Sequence, residues 1–197
     1  MRILVTAFEP FGGKEYNPSA ELLETLETCE DVVGCLLPTS YRGAAEKLNK
    51  ALAEYKPDAA VLTGVAGGRS EICLEFCALN IKDAGIPDND GELASGQSVI
   101  PGERNALFTP FDLGPASQRI RAEGIPCRVS YHAGTYVCNS TYFHLLSSGT
   151  PGVFMHIPDD ERSRQGETAP CLSLSDSRRA LSLLLEYLRE NTHDRNV

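Results

Sequence analysis

Apolar positions along this chain recur in two alternating rhythms. Continuous apolar runs predict strands at Arg2–Phe8, which is rich in β-branched residues, Val32–Leu37, Ala59–Thr63, Cys127–Tyr131 and Gly152–Ile157, the last three of them buried. Between them, apolar residues return every third or fourth position, which predicts helices. The first follows Asn17-Pro18, an N-cap and first-turn pair, and reaches about Thr28 with Leu22, Leu23 and Leu26 on one face. The second runs from Tyr41 or Gly43 to Tyr55, with Ala44, Leu48, Ala51, Leu52 and Tyr55 on one side. Gly114-Pro115 opens a third to Glu123, and Ser175 or Asp176 caps a last one reaching about Asn191, with Leu181, Leu184, Leu185 and Leu188 inward. Strand, helix, strand, helix, strand predicts an α/β chain: three layers, α/β/α, with a mostly parallel twisted sheet between helices. Glu71–Ile81 reads as one further strand, in an antiparallel hairpin. Residues 83–114 and 162–170 carry little pattern, and loops as long as the first are usually functional or interface-forming.

The length of 197 residues fits a single domain, 1–197. A net charge of −9 leaves no basic surface for nucleic acid, and no apolar run is long enough to span a bilayer. Seven cysteines without paired spacing, after an N-terminus unlike an export signal, are read as reduced thiols of a cytoplasmic protein.

The chemistry converges on Ser130–Asn139 (SYHAGTYVCN). Ala133 and Gly134 break the strand, a short helical pattern extends to about Leu146, and Cys138 falls where strand gives way to helix. Backbone N–H groups and the helix dipole would favour a thiolate there. In a parallel α/β sheet, sites form beyond the C-terminal strand ends. The Phe8–Gly13 loop, the Gly64–Ser70 loop, Cys138 and His156 all fall in that position, and Glu75 stands alone among apolar neighbours. A Cys, a His and an acid can serve as nucleophile, base and orienter. A metal site from the same residues lacks the short paired spacings of zinc ligands. Phe8 and Phe11, flanking a glycine-rich loop, either close the core or line a pocket.

Nearly the whole chain also resembles the pyroglutamyl peptidase I family. The likeness lies in Val5–Gly13 (VTAFEPFGG), Asn17-Pro18-Ser19, Gly64–Arg69, Glu75–Asn80, Ile86–Asn89, Ser130–Asn139, Phe154–Pro158 and Ala169–Leu174. The resemblance implies a cysteine exopeptidase removing N-terminal pyroglutamate from peptides, with Cys138 as nucleophile, His156 as base and Glu75 as acid. It implies a pocket lined by Phe8, Phe11, Ile86, Tyr136 and Val137, no metal or organic cofactor, and assembly into a dimer or tetramer. The chain departs from the family pattern at Val65, where glutamine is common, at Gly85, where arginine is common, and in a short segment between Cys138 and His156. Two other readings stay open: a binding protein that has lost turnover, which Gly85 allows, and a nucleoside-handling enzyme, suggested by the Gly64–Ser70 loop.

Overall fold

The computed structural model describes residues 1–24, 26 and 30–192. Eight strands are present among them: β1 Ile3–Phe8, β2 Val32–Leu37, β3 Ala59–Val65, β4 Ile72–Glu75, β5 Cys77–Leu79, β6 Ala106–Phe108, β7 Cys127–Ser130 and β8 Gly152–Ile157. Five helices accompany them: α1 Pro18–Glu24, α2 Tyr41–Tyr55, α3 Leu113–Ala122, α4 Val137–Ser147 and α5 Leu174–Thr192. The predicted first helix is described as helical only to Glu24, and Thr28 lies outside the described residues. Among the described residues no helix is long and apolar enough to cross a membrane.

The main sheet has the order β2-β1-β3-β8-β4-β7. β1, β2, β3 and β8 run parallel. β4 pairs antiparallel with β8, and β7 pairs parallel with β4, so the strand direction reverses at that one boundary. β1, β3 and β8 are buried on both faces, which is why their sequences are continuous apolar runs rather than alternating ones. Alternate residues of these strands feed two separate cores. Ile3, Val5, Val61 and Met155 pack with α1, α3 and α5, while Leu4, Leu62 and Phe154 pack with α2 and α4. The expected three-layer α/β/α arrangement is therefore present.

Two expectations need revision. Glu71–Ile81 is not one strand: it breaks at Phe76 into β4, inside the main sheet, and β5, which pairs antiparallel with β6 in a separate two-stranded sheet. The Phe76 backbone N–H donates to the Ser130 carbonyl and its carbonyl accepts from Thr109, so the chain changes partners there. At the other end, Tyr131 lies outside β7 and is largely exposed, and β7 itself is buried only at Cys127 and Ser130, with Arg128 exposed, so the expected fully buried strand is not found there.

Candidate active site

Sheet register brings an acid and a histidine together. Cys73 of β4 lies opposite His156 of β8, and Glu75 lies opposite Phe154. With a side-chain period of two, Cys73, Glu75, Phe154 and His156 share the sheet face that carries α2 and α4. There Glu75 Oε1 and His156 Nδ1 are 2.7 Å apart. Glu75 is wholly buried and His156 nearly so. Arg69, at the end of the β3–β4 loop, donates from Nη1 to the same Oε1 at 3.1 Å. Among the described residues Oε2 has no hydrogen-bond partner, and the Ser130 side chain helps hold the charge on the carboxylate. Tyr142 of α4 fixes the backbone beneath, its hydroxyl donating to the Glu75 carbonyl at 3.1 Å.

Burial opposes the charge on Glu75. The hydrogen bond and potential of His156, with lesser help from Ser130 and Arg69, outweigh burial and hold the carboxyl below the usual carboxylate range. Burial is also the largest influence on His156 and pushes its pKa below the ordinary histidine value, against the pull of Glu75. The resting pair is a carboxylate and a neutral imidazole whose Nδ1–H donates to Oε1, leaving Nε2 free.

Cys138 is the second residue of α4, after Tyr136 at the N-cap and Val137. The chain takes six residues, Tyr131–Tyr136, to turn from the end of β7 into this helix, with Gly134 at φ 80° making the bend. Asn139 then pins the helix start. It is fully buried, accepts from Leu79 N–H at 2.8 Å and donates to the carbonyls of Leu79 at 2.8 Å and Ile81 at 3.0 Å. Cys138 lies over β3: a Cβ placed on Gly64 would stand 3.1 Å from Sγ, and Gly64 is the register partner of His156. The nucleophile candidate and the Glu75–His156 pair thus meet on one face.

Burial works against the thiolate that the helix terminus favours. Dense packing around the sulfur is the largest influence and, with the Glu75 charge, pushes the thiol up to about 12, although the residue is part-exposed toward the pocket. The helix N–H groups and Arg69 pull the other way and do not win. A helix terminus contributes about 1 kcal/mol at a partly open site, less than the desolvation of a sulfur anion among aromatic rings.

A small cavity of about 30 Å³ opens on Cys138, lined by Phe8, Phe11, Tyr136 and Val65, with Asn17 and Thr39 as its polar members. Phe8 is nearly buried and stacks on Phe154, whose ring centroid is 4.5 Å from that of His156. Phe11 packs on Tyr136 with centroids 6.1 Å apart. The loop carrying Phe11 is tied down by its own carbonyls. Glu9 O accepts from Thr39 Oγ1 at 2.7 Å and Asn17 Nδ2 at 3.1 Å, and Pro10 O accepts from Asn89 Nδ2 at 2.9 Å. Of the residues expected in the pocket, Phe8, Phe11 and Tyr136 line this cavity. Val137 is wholly buried with its side chain in the α2–α4 core. Ile86 instead lines a second, outer cleft of about 750 Å³ that shares Phe11 and Val65 with the inner cavity. Among the described residues no group of three or more His, Cys, Asp or Glu side chains could hold a metal ion.

Arg69, Asn139 and Tyr142 are the supporting residues that sequence reasoning passed over. All three lay inside or beside segments already singled out, but their partners are fixed only by the fold.

The model of the pyroglutamyl peptidase family matches residues 1–187. The chain is 35% identical over 200 residues to a pyrrolidone-carboxylate peptidase of Thermococcus kodakarensis, covering 97% of each protein. It is 36% identical over 192 residues to the enzyme of that name from Bacillus subtilis, covering 92% of this chain and 89% of the relative. Among solved structures, pyroglutamyl peptidase I of Bacillus amyloliquefaciens superposes with a TM-score of 0.89 at 34% identity, over 93% of this chain and 94% of that one. A pyrrolidone carboxyl peptidase of Pyrococcus furiosus gives 0.93 at 32% identity, over 98% and 100%.

Proposed function

Since the chain belongs to the pyroglutamyl peptidase family, we propose that it is a cysteine exopeptidase removing an N-terminal pyroglutamyl residue from peptides, and that residues 1–197 act as one domain. The observation that carries this reading is the buried 2.7 Å contact between Glu75 and His156 on the face beneath Cys138.

In this mechanism His156 Nε2 takes the proton from the Cys138 thiol as Sγ attacks the pyroglutamyl carbonyl carbon. Proton transfer must accompany attack, because a thiol at about 12 is protonated at neutral pH. Glu75 keeps Nδ1 as the protonated nitrogen and stabilises the imidazolium. The oxyanion is received by backbone N–H groups in the first turn of α4. Collapse breaks the scissile C–N bond, and the amine leaves with the proton from His156. Water, deprotonated by the same nitrogen, then hydrolyses the thioester and frees Cys138. Pyroglutamate is a small uncharged lactam, suited to walls of Phe8, Phe11 and Tyr136. The inner cavity has room for about one water, so the ring also takes up space on the cleft side of Phe11 and Val65, which line both spaces.

Release of a chromogenic amine from a pyroglutamyl amide tests the proposal, with the prolyl amide as comparison. The lactam should be preferred by orders of magnitude, because a prolyl ammonium would be buried without a partner. Cys138→Ala should be folded and inactive. No release by the wild-type protein, or release persisting in Cys138→Ala, would refute the assignment.

A further inference from the structure

We infer that the Ser130 hydroxyl is the second anchor of Glu75, donating to Oε2 and so holding the acid in place for His156. This rests on Cys138, His156 and Glu75 acting together on pyroglutamyl peptides.

The carboxylate is loaded on one side. Oε1 meets both His156 Nδ1 at 2.7 Å and Arg69 Nη1 at 3.1 Å. Oε2 is buried and has no partner among the described residues. A buried charged oxygen without a donor is costly, so a group able to supply one is expected within reach. Sheet register names it. In the parallel pair of β4 and β7, Glu75 lies opposite Ser130. Opposed residues of neighbouring strands, about 4.8 Å apart, project to the same face. Ser130 is buried, and its hydroxyl otherwise makes a marginal 3.5 Å contact with the His132 carbonyl. A turn about χ1 of this one side chain would trade that contact for Oε2.

Two further contacts favour Ser130 in this place. The Tyr142 hydroxyl, also beside the acid, is committed to the carbonyls of Glu75 and Gly152 at 3.1 and 3.3 Å. The Ser130 carbonyl accepts from Phe76 N–H at 2.6 Å, which ties β7 to the chain one residue past Glu75. The influence of Ser130 on the carboxyl has the matching sign, favouring the anion.

The consequence is rotational. With His156 and Arg69 on one oxygen, the carboxylate can swing about its last bond. A donor at Oε2 adds a second point of attachment, and Oε1 stays in line with Nδ1 while the imidazole gains and returns the proton of Cys138. Ser130 lines neither the cavity on Cys138 nor the outer cleft, so it is a positioning residue that acts through Glu75.

The experiment measures kcat and KM on a pyroglutamyl amide for the wild type, Ser130→Ala, Glu75→Ala and the double variant. Ser130→Ala should lower kcat about 10- to 100-fold, the size of one hydrogen bond to a charged group, with KM little changed. In the Glu75→Ala background the same substitution should cost nothing more, because the hydroxyl then has no oxygen to hold. A residue that only supports the fold would cost the same in both backgrounds. The NMR resonance of the His156 Nδ1 proton should also move in Ser130→Ala, since its acceptor is no longer shared with a second donor. Wild-type kcat in Ser130→Ala, an equal loss in both backgrounds, or an unmoved resonance would overturn the inference while leaving the pyroglutamyl activity standing. No release by the wild-type protein would refute the activity and this inference together.

Discussion

Gly64→Ala adds one methyl group at the point where β3 passes beneath the nucleophile. That carbon would sit 3.0 Å from Cζ of Phe154 and 3.1 Å from Sγ of Cys138. Comfortable heavy-atom contacts begin near 3.5 Å, so a neighbour must retreat by on the order of 0.5 Å. Phe154 has nowhere to go: it is wholly buried, with Phe8, Tyr142 and His156 ring centroids at 6.4, 5.8 and 4.5 Å. Cys138, beside a cavity, is the part that yields. Overpacking a core in this way costs about 1–3 kcal/mol. A nucleophile displaced by about 1 Å loses about 100-fold in rate, so half that displacement should cost at least tenfold. The variant should unfold at lower denaturant with an unchanged slope, and its kcat on a pyroglutamyl amide should fall about 10- to 100-fold, with a smaller change in KM. Wild-type kcat together with wild-type stability would refute the claim that this glycine sets the position of the sulfur.

Glu75→Gln should lower kcat by about 10³–10⁴ with little effect on KM, because it costs His156 its tautomer and counter-charge rather than a substrate contact; wild-type turnover would mean the 2.7 Å contact is structural only. His156 must be neutral to act as base and its pKa lies below the ordinary value of 6.5, so kcat/KM should hold as pH falls through about 6.5 and decline only below it. Folding stability has the corresponding sign: the unfolded chain takes up a proton first as pH drops, so this histidine's contribution to stability is lost on acidification. Arg69 lowers the His156 pKa, so Arg69→Met should move the acid limb of kcat/KM upward, and Arg69→Lys should restore most of it; a uniform loss with an unmoved limb would count against an electrostatic role. Asn139→Ala should cost about 1–3 kcal/mol in denaturant unfolding, since it strands part-buried backbone groups of Leu79 and Ile81; a change within about 0.5 kcal/mol would show those groups finding other partners.

What could be read in advance depended on how local each signal was. β1, β3 and β8 announce themselves because strands buried on both faces need unbroken apolar runs, and α2 has both its periodicity and its Pro57 stop inside one window. The Phe76 break had no such signal. β4 and β5 are both apolar and separated by one residue, and only their partners, β8 and β6, reveal that they belong to different sheets. The reversed direction of β4 was equally hidden, since strand direction follows from the path of the connection. At the site, Cys138, His156 and Glu75 stood out as reactive types in apolar company. Asn139 and Tyr142 did not, because their partners lie 60 and 67 residues away. For the Cys138 thiol, the helix terminus that favours the anion is visible in sequence, and the burial that opposes it is not.

The reversal between β8 and β4 divides responsibility within the site. The acid and the histidine are teeth of one rack: a one-residue slip would turn Glu75 to the opposite face of the sheet. Their spacing is therefore all-or-none, set by backbone pairing that loop changes do not reach. Cys138 rides on a helix joined to β8 by the short turn Ser148–Pro151 and held by the side chains of Asn139 and Tyr142. The segment that sets where the sulfur stands is the six-residue turn Tyr131–Tyr136 before the helix, and changes there would move Cys138 while the base and its acid stay locked. Variation in the reach of the nucleophile is thus open to this architecture by small insertions, whereas variation in the partner pair would require rebuilding the sheet.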